Sequence, residues 1–135
     1  MFGSFDISTS ALVAQRTRLN VISANMANQH SVFDAQGNHD PYRRRIPVFA
    51  PGDPSTGSGQ GVHVKEILFD QAPFRKVEVG IGHPLADEEG FMDMPNVDPM
   101  IEMANALEAS RAYEANVTVV EATKAMVNSA MRLLA

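Results

Sequence analysis

Asp98 to Ala135 reads DPMIEMANALEASRAYEANVTVVEATKAMVNSAMRLLA, and after Pro99 no glycine or proline interrupts it. Asp98 is suited to the N-cap, where a carboxylate accepts N–H groups that the first turn leaves unpaired. Pro99 stands at the first helical position, where its missing N–H costs nothing. Apolar residues recur beyond it at helical spacing. One stripe runs Met103, Ala106, Ser110, Tyr113, Val117, Val120, Lys124, Val127, Met131 and Leu134. A second, beside it, runs Ala112, Ala115, Val119, Ala122, Met126, Ser129 and Leu133. The pattern predicts one helix over Pro99–Leu134, ~54 Å long at ~1.5 Å per residue, with an apolar face wider than a two-stranded seam requires.

The opposite end of the chain is also free of glycine and proline, from Ser4 to Gln36. Phe5, Leu12, Leu19 and Met26 recur every seven residues, with Ser8, Gln15, Ile22 and Gln29 at the alternate positions. That is heptad spacing with a half-polar seam, and it predicts a helix from about Ser8 to about Gln29, ~33 Å long. Leu12, Leu19, Ile22 and Met26 are expected to pack against Tyr113, Val117, Val120, Val127 and Met131. The second stripe of the long helix, with Val119, Met126 and Leu133, then stays open to other subunits. Each uncovered Val, Leu or Met forfeits ~1.5–3 kcal/mol of burial, so further helices from neighbours are expected. A self-contained hairpin or a coiled-coil dimer is the competing arrangement. Asn25 and Asn28 fall near the end of the first helix, placed either to cap exposed carbonyls or to bridge to a neighbour.

Between the arms, eight of the nine glycines lie from Gly37 to Gly90 and seven of the eight prolines from Pro41 to Pro95. The chain thus divides into an N-terminal helical arm (1–33), a β- and turn-rich insert (34–97) and a C-terminal long helix (98–135). Strands are expected at Arg45–Ala50, Val62–Phe69 and Phe74–Val79, where β-branched and aromatic residues gather between turn formers. Pro51–Gly61 (PGDPSTGSGQG) reads as a flexible loop. The expected fold is mainly α with a small β-rich insert, the terminal helices pairing in a coiled-coil-like arm and the insert leaning on them.

A net charge of −5 argues against nucleic acid as a partner, since phosphate neutralisation needs surplus lysine and arginine. There is no cysteine, hence no disulfide. No run approaches the ~20 apolar residues of a transmembrane segment, and Asp6 and Arg16 spoil the start as a cleaved signal. Gly57, Gly59 and Gly61 precede a strand-like segment instead of a phosphate-binding helix. His30, His39, His63 and His83 share no ligand spacing, so neither metal nor cofactor is expected. Arg43–Arg45 reads as a solvated loop, with an acidic partner or phosphate as the alternative, and Asp87–Glu89 as a solvated turn. No serine forms a nucleophile elbow, and Tyr113 reads as an interface tyrosine. The chain is not expected to be an enzyme.

Leu12–Asn28, LVAQRTRLNVISANMAN, resembles the N-terminal signature of the flagellar rod, hook and hook–filament-junction axial proteins. PYRRR (Pro41–Arg45), GHPLADEEGF (Gly82–Phe91), MPNVDPMIEM (Met94–Met103), ASRAYEANV (Ala109–Val117) and KAM (Lys124–Met126) point within that family to a subunit of the proximal rod. Gln29, His30 and Ser31 stand where members often carry Asn-Thr. The resemblance implies a structural subunit, exported through the flagellar type III apparatus without a cleaved signal. It implies assembly with copies of itself and other rod subunits. It also implies contact with a rod-base adaptor protein, a membrane-embedded ring and the export gate. On the arms alone, a cytosolic coiled-coil adaptor or chaperone and a type III secretion needle-like subunit remain alternatives.

Overall fold

The computed structural model describes residues 2–54 and 57–134. The elements run α1 (Phe2–Ala27), β1 (Arg45–Asp53), β2 (Ser58–Phe69), β3 (Arg75–Glu78), β4 (Phe91–Met94) and α2 (Pro99–Leu134). α2 has the expected bounds, and its cap is made: the Met100 N–H donates to Asp98 Oδ1 at 2.9 Å. α1 begins six residues earlier than its heptad pattern predicts, because nothing after Gly3 resists helix.

The insert forms two separate antiparallel pairs, β1 with β2 and β3 with β4. Arg45 faces Phe69 and the ladder continues to Asp53 opposite Ser58, with register shifts after Val48 and after Pro51. The expected loop Pro51–Gly61 is therefore largely strand; residues 55 and 56 of it lie outside the described residues. Its glycines do not loosen the ribbon; they let it close. Gly52 has φ +87°, and a Cβ there would stand 2.9 Å from the Ser58 carbonyl oxygen. β4 escaped the sequence reading because FMDM is short and lacks β-branched residues. It is held to β3 by the turn in which the Asp87 carboxylate accepts the Glu89 and Phe91 N–H groups at 3.1 and 2.9 Å.

α1 lies between α2 and the β1–β2 ribbon. Two covered sides explain why its apolar residues are spread around the helix instead of gathered on one face. The α1–α2 packing is antiparallel: Arg18 reaches Asn105 and Glu108, while Asn25, two turns on, reaches Glu102.

The line of closest packing on α2 differs from the expected one. Glu102, Ala109 and Thr123 are buried, and Ala106, Tyr113, Asn116, Val120 and Val127 are half-buried between and beyond them. That sequence keeps the alternating three- and four-residue spacing, but every second position sits one residue before the expected one. Met103 and Met131, expected inside, are 53% and 57% exposed. The displaced positions, Glu102, Ala109, Asn116 and Thr123, are small or polar, which admits close helix approach and leaves no hydropathy signal. α1 shows the same pattern: Ser8 and Ile22 are buried while Phe5 is 40% exposed.

Among the described residues the buried hydrophobic set is small, comprising Ala14, Val21, Ile22, Val97 and Ala109. The chain exposes 9097 Å², whereas a compact monomer of its mass exposes about 6,900 Å². The surplus, about 2,200 Å², is what this chain's side of two to three standard interfaces would cover at ~800 Å² each.

Candidate assembly interface

The end of α1, the start of the insert and the first turn of α2 meet in one polar network. Asn25 is 1% exposed, and its amide uses all four hydrogen-bonding positions. Nδ2 donates to the Arg45 carbonyl at 2.9 Å and to Glu102 Oε2 at 3.0 Å. Oδ1 accepts the Arg45 N–H at 2.9 Å and the Tyr42 hydroxyl at 3.0 Å. The amide thereby pairs with the Arg45 backbone as a neighbouring strand would.

Glu102, fully buried, receives Arg44 Nε on its other oxygen at 2.6 Å. Arg44 Nη1 also reaches Asp70 Oδ2 at 3.3 Å. Burial opposes the Arg44 charge, but its hydrogen bonds to the Glu102 and Asp70 carboxylates outweigh that and raise its pKa. Burial likewise pushes the Tyr42 hydroxyl above its ordinary value. Asp70 is held below the ordinary carboxylate value, first by the Ala72 N–H and then, against some burial, by Arg44. Asn96 completes the join, accepting the Arg44 N–H at 2.7 Å and donating to the carbonyls of Asp70 and Ala72.

The arginine run is thus not simply a solvated loop: through Arg44 it meets acidic groups, and they belong to the same chain. Arg43 donates to the same two carbonyls and lies 4.3 Å over the Phe74 ring. Arg45 alone is exposed, over the rings of Tyr42 and Phe69. Sequence reading singled out Asn25 but passed over Glu102 and Arg44. The available signal was a carboxylate on the inner line of α2 within one turn of its cap, in a chain with an arginine run in its insert.

Asn28 caps the end of α1, its amide donating to the Ala24 carbonyl at 2.8 Å while Ser31 Oγ donates to its oxygen at 3.1 Å. Farther along, Ser10 Oγ accepts the Val62 N–H at 3.1 Å, pinning α1 to β2. The histidines serve the backbone: His63 Nδ1 is 2.8 Å from the Gly52 carbonyl, and His39 Nε2 is 3.2 Å from that of Asp93.

The other expected interface residues divide by exposure. Ile22 is buried, and Leu12, Leu19, Met26, Tyr113, Val117, Val120 and Val127 are half-buried. Val119 (45%), Met126 (59%), Met131 (57%) and Leu133 (88%) are exposed. α1 covers the middle of the apolar band of α2 and leaves a flank open on each side. Val119, Met126 and Leu133 lie on one flank, Met103 and Met131 on the other. No described helix is long and apolar enough to cross a membrane.

Residues 5–29 match the family described as "Flagella basal body rod protein", and residues 88–133 match "Flagellar basal body rod FlgEFG protein C-terminal". The two matched stretches are the two helices with the turn that leads into α2. Over 130 residues the chain is 46% identical to flagellar basal-body rod protein FlgC of Yersinia enterocolitica, covering 96% of this chain and 94% of that one. It is 44% identical over 133 residues to FlgC of Salmonella typhimurium, at 96% and 94% coverage. Against FlgC of Bacillus subtilis it is 37% identical over 146 residues, at 98% and 97% coverage. All three are rod proteins, which sets aside the adaptor and needle-like alternatives. The chain belongs to the FlgC family of flagellar basal-body rod proteins.

Proposed function

We propose that the chain is a mechanical part of the proximal rod and performs no catalysis. Its terminal helices would pair in a coiled-coil-like arm and join those of neighbouring rod subunits, with the insert, residues 34–97, lying outside and leaning on them. The carrying observation is the open band on both sides of α1. Burying Val119, Met126 and Leu133 on one flank and Met103 and Met131 on the other would each contribute ~1.5–3 kcal/mol. A soluble monomer does not leave so long a strip of large apolar side chains uncovered without a use for it.

The same features suit export through the type III apparatus in a partly folded state, followed by ordering on docking. The inner line between the helices is rich in small and polar groups, and Gln15 Oε1 is buried there without a hydrogen-bond partner. Such a seam weakens the isolated pair. Docking against copies of itself, other rod subunits, a rod-base adaptor, a membrane-embedded ring or the export gate would supply the missing burial.

Val119→Asp and Leu133→Asp each put a charge into a flank without touching the buried network. Each should leave synthesis intact and abolish incorporation into purified basal bodies, with loss of motility. Normal motility in both variants would overturn the assembly role of the flanks.

A further inference from the structure

We propose that the groove between α1 and strand β2 receives the projecting C-terminal tip of α2 from a second copy of the chain, joining copies head to tail. The inference rests on the rod-subunit reading and adds to it a specific site and a specific occupant.

The groove encloses about 740 Å³ and is open along one side. Thr9, Val13 and Thr17 form its helical wall, and Gln60, Val62 and Val64 its strand wall. Val13, in the middle of that wall, is 54% exposed although valine at such a place is ordinarily covered. Among the described residues, only α1 and the ribbon line the cleft, and α2 packs on α1 but not on the ribbon. Asp6 is among the lining residues, so the site carries a carboxylate beside its apolar surface.

The tip has the complementary character. The register fixed by Asn25–Glu102 and Arg18–Glu108 places Phe2 roughly opposite residue 125. About nine residues of α2 therefore run past the start of α1, ~13 Å of helix. After Thr123 no described residue is buried. Met131, Leu133 and Leu134 are 57%, 88% and 89% exposed, and Arg132 is exposed among them. An apolar tip with one cation meets an apolar cleft with a carboxylate. The volume suits a few large side chains, not a whole helix laid lengthwise.

The tip cannot enter its own groove, because a continuous 36-residue helix has no bend with which to return. Tip and groove are different surfaces of the same molecule, so their contact is heterologous. Such contacts propagate as rings or open helical filaments instead of closing as a two-fold dimer.

The chain has no cysteine, which makes the contact directly testable. Val13→Cys and Leu133→Cys proteins would be co-expressed in flagellated cells, with Ile81→Cys replacing Val13→Cys in a control; Ile81 is 85% exposed and outside the groove. Basal bodies are then purified, oxidised and blotted. The expected result is a covalent dimer from the Val13–Leu133 combination at least tenfold above the Ile81–Leu133 control. Incorporation with equal crosslinking in both combinations would overturn the groove contact and leave the rod reading standing. Absence of even the unsubstituted chain from basal bodies would overturn both. If a cysteine variant itself is not incorporated, charge exchange decides. Asp6→Arg and Arg132→Asp should each reduce incorporation, and together restore it; no restoration overturns the contact.

Discussion

At one end of the helix pair, Asn25 and Glu102 are closed off from water and hydrogen-bonded to each other, and the half-buried Arg44 binds Glu102 from the insert. At the other, no described residue after Thr123 is buried, and two leucines stand almost fully exposed. The closed end is polar and specific: it fixes how α1, the insert and α2 sit together. The open end is apolar and, within one chain, unspent. A subunit that must keep one geometry yet bond to neighbours gains from this division. Directional polar contacts define the unit, and in the proposed assembly non-directional apolar surface would drive its association.

Arg44→Ala tests the closed end most severely. It leaves the Glu102 carboxylate buried with only Asn25 as partner, and loss of one member of a buried pair costs ~3–5 kcal/mol. Urea unfolding should show that loss, and Arg44→Lys should recover only part of it. A single ammonium cannot copy the fork that reaches Glu102 and Asp70 together. A cost below ~1 kcal/mol for Arg44→Ala would mean that the network does not define the unit.

Gly61→Ala probes the join between α1 and the ribbon. Gly61 has φ +94°, and a Cβ there would lie 2.7 Å from Ser10 Oγ. Backbone strain of this kind costs ~1–3 kcal/mol. Ser10→Ala alone should cost about 1 kcal/mol for its hydrogen bond to Val62. In the Gly61→Ala background it should cost less, because it also removes the colliding oxygen. Strict additivity in that cycle would place the strain in the backbone and not in the contact.

These two positions also show what the sequence makes legible. The bounds of α2 and its cap are readable because Asp98, Pro99 and the uninterrupted run after them act locally. The helix seam is only half readable, since Ala109, Asn116 and Thr123 are inner residues by virtue of size, while the more apolar Met103 and Met131 lie outside. Pro51–Gly61 looks like a linker by composition, yet Gly52 and Gly61 are where chain segments approach too closely for a side chain. Arg44 looks solvated because the carboxylates that neutralise it lie 26 and 58 residues away. Local chemistry is visible in sequence; a partner supplied by distant chain is not.

A smaller effect is expected from pH. The Ala72 N–H and Arg44 depress the Asp70 carboxyl below its ordinary value. A depressed folded-state pKa contributes stability that is present above the unfolded value, ~3.9, and is lost as pH falls through the folded one. Asp70 remains partly open to solvent, so screening keeps the contribution under ~1 kcal/mol. Asp70→Asn should therefore flatten the stability profile below about pH 4 and change little of its slope near neutrality. An unchanged acid limb would remove Asp70 from the closed end.

The smallest effect is expected at the open end, and its smallness is the point. Met126→Ser combined with Leu133→Ser removes two large side chains that, in the isolated chain, have little burial to lose. Exposed substitutions of this sort shift stability by no more than ~0.5 kcal/mol, so the urea midpoint of the dilute monomer should stay where it is. Incorporation into the rod should nevertheless fall, because the burial those residues forgo in solution is what docking would recover. A loss above ~1 kcal/mol in the monomer would mean that the tip already packs on its own chain. The two ends would then be alike in function, and the apolar strip would belong to folding instead of assembly.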